Sequence, residues 1–134
     1  MTRYLLAYAG TALTLVALDL LWLGLAMRGF YKAALAPIMR EQPLIGPAIL
    51  FYAVYAVGLV WFAVLPGIEA GQWLRALLTG AAFGFFAYVT YDMTNYATLK
   101  DFPLKVVAVD VSWGLVVSGL AAVMGWWAVD LTGR

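Results

Sequence analysis

The chain has 134 residues, 66% of them apolar and only 11% charged, with a net charge of +1 and a mean hydropathy of +0.92. Eight cations and seven acids, set mostly between apolar runs, cannot clothe a soluble domain of this size, and no basic tract offers nucleic acid a footprint. Cysteine and histidine are both absent, which removes disulfides, thiolate catalysis, Cys/His zinc sites and His or Cys ligation of haem.

The composition implies no cofactor and leaves carboxylates, aromatic rings and a few cations as the available chemistry. Four apolar runs are long enough to cross a bilayer. They predict an all-α, polytopic membrane protein: one compact four-transmembrane-helix bundle over residues 1–134. The first run, residues 4–26, is about 34 Å long as helix and carries Asp19 as its only charge. It is long for a signal sequence and lacks a small-residue cleavage site, so it reads as a retained helix. Residues 46–65 form the cleanest span, with Pro47 in its first turn and Pro66-Gly67 as its stop. The third, residues 73–96, holds Arg75 near one end and Asp92 near the other. The fourth, residues 103–127, opens on Pro103 and closes on Trp126 and Trp127, placed for an interfacial aromatic belt.

Of the connections, residues 66–72 are short enough to force the second and third spans into antiparallel contact. Residues 27–45 are the longest; the stretch 30–39, with Lys32 nearby Arg40, reads as an ordinary loop, the alternative being an amphipathic turn or short helix along the interface. Arg28, Lys32, Arg40, Lys100 and Lys105 fall on the side of the first and third connections, against Arg3, Arg75 and Arg134 opposite. The positive-inside tendency then puts those connections in the cytoplasm and both termini outside.

Chemistry concentrates in three aspartates, because a carboxylate in hydrocarbon is costly unless protonated, paired or facing a polar cavity. With alternating helix directions, Asp19, Asp92 and Asp110 all fall in the half of the membrane next to the first and third connections, their depths differing by one or two helical turns. That stacking points to a shared polar pocket open to that side. On the third span Tyr88, Asp92, Asn95 and Tyr96 share a face, with Tyr91 beside them. Trp22 follows Asp19, and Trp113 follows Asp110, at the same D-x-x-W spacing. The helices run in opposite directions, so one tryptophan is shallower than its acid and the other deeper, which suits a pocket wall and not an internal duplication. The expected ligand-binding set is Asp19, Trp22, Tyr88, Tyr91, Asp92, Asn95, Tyr96, Asp110 and Trp113, with no catalytic residue or metal ligand assigned. Against it stand blander readings. Asp92 can end its span facing headgroup water, Asp110 can pair with Lys105 or Arg28, and the whole layer can be a polar network that fixes helix register. Small residues, Gly80 and Gly84 on the third span and Gly114, Ser118, Ala121 and Gly125 on the fourth, allow close packing within the bundle or across a homodimer seam.

Asp19-Leu20-Leu21-Trp22-Leu23-Gly24, Tyr91-Asp92-Met93-Thr94-Asn95-Tyr96-Ala97-Thr98-Leu99 and Asp110-Val111-Ser112-Trp113-Gly114 resemble a bacterial membrane family, domain of unknown function 2177 (DUF2177). The resemblance covers essentially the whole chain. It implies a four-helix inner-membrane protein and brings no activity, cofactor or catalytic residue.

Three functions compete. The first is binding or transport of a lipid-like or small polar solute in an Asp/Tyr/Trp/Asn pocket, with a proton on Asp19 as a coupling ion and a homodimer supplying the second half of a transporter. The second is a structural or regulatory subunit of a larger membrane complex. The third is a carboxylate-dependent membrane enzyme, for which the residues offer neither histidine nor an activated serine. Membrane lipid is the partner common to all three; nucleic acid is excluded.

Overall fold

A segment in hydrocarbon must satisfy its backbone amides internally, and each apolar run does so as a helix. The computed structural model describes residues 1–133, all-α with no strand among them. Helix α1 spans Thr2–Ala26, α2 Arg28–Leu35, α3 Ile45–Glu69, α4 Trp73–Thr98 and α5 Leu104–Thr132. Among the described residues, α1, α3, α4 and α5 are the helices long and apolar enough to cross a membrane.

Helix α5 is the hub: its contact with α4 is the most extensive in the molecule and that with α1 the next. The buried positions explain this. On α1 they recur every fourth residue, Ala7, Thr11, Leu15 and Asp19, and on α4 the stripe is Ala76, Gly80, Gly84 and Asp92, with the half-buried Tyr88 filling the one skipped position. Both stripes are narrow and lined with small side chains, which brings backbones together. A Cβ at Gly80 would lie 2.6 Å from that of Ala122 and 2.9 Å from the Ser118 carbonyl oxygen. At Gly84 it would run into the Gly114 carbonyl and the Ser118 side chain. Gly80 and Gly84 of α4 are thus spent on Gly114, Ser118 and Ala122 of α5, while Gly125 of α5 faces Thr11 and Ala7 of α1, all inside the bundle.

Two segments depart from the predicted boundaries. Helix α3 does not stop at Pro66-Gly67; it continues to Glu69. Val60–Val64 forms a wider π turn in which the Leu65 N–H reaches back to the Val60 carbonyl. Its ladder is already shifted before Pro66, whose missing N–H and ring would otherwise break the helix. The stretch predicted as an ordinary loop contains α2, because Tyr31 packs with Phe102, Val106 and Val107 and gives a short helix a tertiary anchor. Trp127 is exposed as a belt residue would be, whereas Trp126 turns into the core with Ala7, Val64 and Val129.

The two ends of the bundle differ. At the end holding the 66–72 connection, α3 packs against α4 through its Val60–Glu69 half. Towards the first and third connections, the Ile45–Leu59 half makes almost no close approach to α4, and the two helices splay. That open end carries the acidic residues.

Candidate functional site

Asp19 is only 4% exposed, on the stripe of α1 that faces α5, so its carboxylate must be satisfied by protein. Trp113 of α5 donates its Nε1–H to Oδ1 at 2.7 Å, and Tyr52 of α3 donates its hydroxyl to Oδ2 at 2.8 Å. Both are well-formed hydrogen bonds by length. The Trp113 ring lies flat on Trp22, with centroids 4.3 Å apart and planes within 1°. Trp22 sits in the π turn that ends α1, where the Met27 N–H bonds the Trp22 carbonyl at 2.7 Å; such turns often mark functional positions.

The network continues. Trp22 Nε1–H donates to the Tyr31 hydroxyl at 3.1 Å, and that hydroxyl donates to Asp110 Oδ1 at 3.0 Å. Two carboxylates on different helices are therefore joined by a stacked indole pair and one phenol. Burial holds the Tyr31 phenol proton above the ordinary tyrosine range, and the neighbouring Asp110 adds to it. Asp110 is half-buried and bonded to Tyr31; among the described residues it forms no ion pair with Lys105 or Arg28. Asp92 is the outlier. It is fully buried and so does not face headgroup water, neither of its oxygens has a hydrogen-bond partner, and Asp110 acts on it directly.

The splay between α3 and α4 leaves a cleft of about 670 Å³, a size that suits a small ligand. Asp19 and Asp110 line it, along with Phe51, Tyr52 and Tyr55 from α3 and Tyr88 and Tyr91 from α4. Tyr55 and Tyr88 meet edge to face, with centroids 6.3 Å apart, and Tyr55 also contacts Phe83. The Tyr55 hydroxyl shares a 2.6 Å hydrogen bond with Ser118. Tyr88 fits because Gly114 has no side chain: a Cβ there would enter the Tyr88 ring. Phe51 and Tyr91 are exposed at the rim.

Of the nine residues singled out in the sequence, Asp19, Asp110, Tyr88 and Tyr91 line this cleft, and Trp22 and Trp113 hold the acids behind it. Asp92 adjoins Asp110 without lining the cleft. Asn95 is half-buried and Tyr96 exposed, further along α4 and outside the wall. The three aspartates do not gather into one metal site: among the described residues no group of three or more acids is close enough to hold an ion. Sequence reasoning missed Tyr31, Tyr52 and Tyr55. Only Tyr31 had a signal, an aromatic ring between Arg28 and Lys32 in a segment that could lie along the interface.

The family model described as "Predicted membrane protein (DUF2177)" matches residues 4–127. No curated protein and no solved structure matches the chain.

Proposed function

The chain belongs to the DUF2177 family of membrane proteins, and for a multi-pass protein built in this way we propose that it binds a lipid-like or small polar solute in the cleft between α3 and α4. One observation carries this reading: an otherwise apolar and aromatic cleft of about 670 Å³ has two carboxylates, Asp19 and Asp110, in its wall. An apolar body would lie against Phe51, Tyr55 and Tyr88. A hydroxyl or ammonium group would reach the acids, with the tyrosine rings adding cation–π attraction for a cation. Phe51 and Tyr91 are exposed at the edge of the cleft, between two membrane-spanning helices, an opening through which an amphiphile would enter from the side.

Asp19 is held in place within the protein, since Trp113 bonds one of its oxygens and Tyr52 the other. By the charge bias, the open end faces the cytoplasm and the termini the periplasm. Transport extends the same reading. A cleft open at one end requires a second conformation or a second copy to move its solute across, and a proton on Asp19 is the natural coupling ion.

Native mass spectrometry of the protein in lipid nanodiscs tests the binding. A discrete co-purifying mass in the wild type that is lost in Asp19→Asn and Asp110→Asn is the expected result. Bulk lipid alone, identical across all three proteins, would make the acidic layer architectural.

A further inference from the structure

The second cavity at the open end is chemically the reverse of the cleft. It has a volume of about 900 Å³ and lies beneath α2 and the chain that follows it. Its wall carries Arg28 and Lys32 of α2 and Arg40 of the following segment, against a single acid, Glu41. Arg28 and Lys32 are four residues apart and so share a face of α2, and Tyr31, which flanks that face and also lines the cavity, anchors the helix on α5. Pro37 and Pro43 prevent helix α2 from simply continuing, and the returning chain brings Arg40 round to the same cavity. Arg28, Lys32 and Arg40 are exposed, and none forms an ion pair among the described residues. The remainder of the wall is largely apolar, including Leu23, Met39 and Leu44.

The geometry points to a binding site for the phosphate of an anionic lipid headgroup, formed by Arg28, Lys32 and Arg40 at the membrane surface. Three cations on a concave wall match the several acceptor oxygens of one phosphate, and two guanidinium forks favour phosphate over a simple monovalent anion. The lipid origin follows from the setting. Ile38, Met39, Leu44 and Ile45 are exposed around the basic wall, so the cavity sits where headgroups end and acyl chains begin. General charge bias does not account for it. Lys100 and Lys105 lie at the same end of the bundle but outside this cavity, and Lys105 is placed 5.9 Å over the Phe30 ring. The inference goes beyond the solute cleft and does not use its aspartates. Leu23, which lines both cavities, is the wall they share.

The test uses the full chain in nanodiscs of mixed phosphatidylglycerol and phosphatidylcholine, with native mass spectrometry reading the lipids retained. The wild type should keep phosphatidylglycerol in preference. The combined variant Arg28→Gln, Lys32→Gln, Arg40→Gln should lose that preference, by on the order of a hundredfold at low salt. The control pair Lys100→Gln, Lys105→Gln should retain it. Near-ultraviolet circular dichroism of the Trp22–Trp113 stack reports whether each variant is folded, and a single Arg40→Gln change, outside every helix, serves if the triple variant is not. Equal loss in the control pair, or no preference in the wild type, overturns the site. Displacement of the lipid by millimolar inorganic phosphate would overturn the lipid assignment in favour of a free anion; failure of phosphate to compete supports it. Because the readout is headgroup selectivity, a wild type that keeps this preference but holds no cleft ligand would sink the cleft reading alone.

Discussion

The same helices are joined in two ways at the two ends of the bundle. At the closed end, contact is backbone to backbone through small residues. A Cβ at Gly10 would sit 2.9 Å from that of Ala128, one at Gly67 would sit 2.8 Å from that of Ala76, and one at Gly125 would collide with the Thr11 hydroxyl. At the open end large rings hold the helices apart, and directed bonds through Trp113, Tyr52, Trp22 and Tyr31 replace close approach. The first arrangement gains dispersion from density, and the second gains little from packing but leaves room. Stability and a cavity are thereby assigned to different ends of one bundle, and a substitution should reveal its end by what it costs.

The largest effect belongs to Gly84→Leu, at the α4–α5 contact. The new side chain would meet the Gly114 carbonyl and Ser118, which are backbone and a hydrogen-bonded hydroxyl and have no room to yield. The loss should exceed the ~1–3 kcal/mol usual for overpacking, read as collapse of the folded fraction in detergent. A variant that folds with wild-type thermal stability would show that α4 and α5 are not packed this closely.

Asp19→Leu comes next. It removes the shared acceptor of Trp113 and Tyr52 and leaves two half-buried donors without it, at up to about 1–3 kcal/mol each. Asp19→Asn keeps one acceptor oxygen and should recover part of the loss. Equal stability of the leucine and wild-type proteins would mean that the network does not hold the open end together.

A smaller effect, with a pH signature, is expected from Tyr31→Phe. The change deletes two hydrogen bonds at about 0.5–1.5 kcal/mol each. Burial raises the proton affinity of the folded phenol, so the unfolded chain ionises first, at about pH 10. Above that pH the folded state binds more protons than the unfolded one, and stability falls as pH rises. The Tyr31 contribution is therefore fully present below about pH 10 and lost above it. Thermal unfolding between pH 8 and 11 should fall less steeply in Tyr31→Phe than in the wild type; parallel curves would place this phenol in water.

The closed end was far more legible in the sequence than the open one. Hydrophobic length alone locates four spans, and spacing alone finds Gly80, Gly84, Gly114 and Ser118, because close packing needs only small side chains at helical intervals. Depth arithmetic also brought Asp19 and Asp110 to one level region. The D-x-x-W repeat carried more than its face value. Because α1 and α5 are antiparallel, each tryptophan lies near the depth of the other motif's acid, so Trp113 serves Asp19 while Trp22 serves Asp110 through Tyr31. The tyrosines that complete the site were illegible for a physical reason. Tyr52 and Tyr55 stand in a run where every face is apolar, and no periodicity says which ring turns inward. Asn95 and Tyr96 share a face with Asp92 yet lie where α4 runs past the cleft, a distinction that spacing along one helix does not contain.

Asp92 is expected to give the smallest change in stability, and the one of opposite sign. Asp19 and Asp92 are both buried carboxyls on the inward stripes of their helices, but Asp19 is held by an indole and a phenol, whereas Asp92 has the Asp110 carboxyl beside it. Removing a buried carboxyl whose neighbour is another carboxyl, Asp110, relieves a desolvation cost and a like-charge contact and breaks no bond to an indole or phenol donor. Asp92→Leu, close in volume, should therefore be neutral or stabilising, by up to about 1 kcal/mol, where Asp19→Leu destabilises. Unfolding of the two variants side by side in detergent reads the contrast. A destabilised Asp92→Leu would mean that the carboxyl does structural work through Asp110. A stabilised one would leave the fold no use for a side chain that costs it energy, and would move Asp92, beside the acid that lines the cleft, from architecture to the handling of protons or ligand.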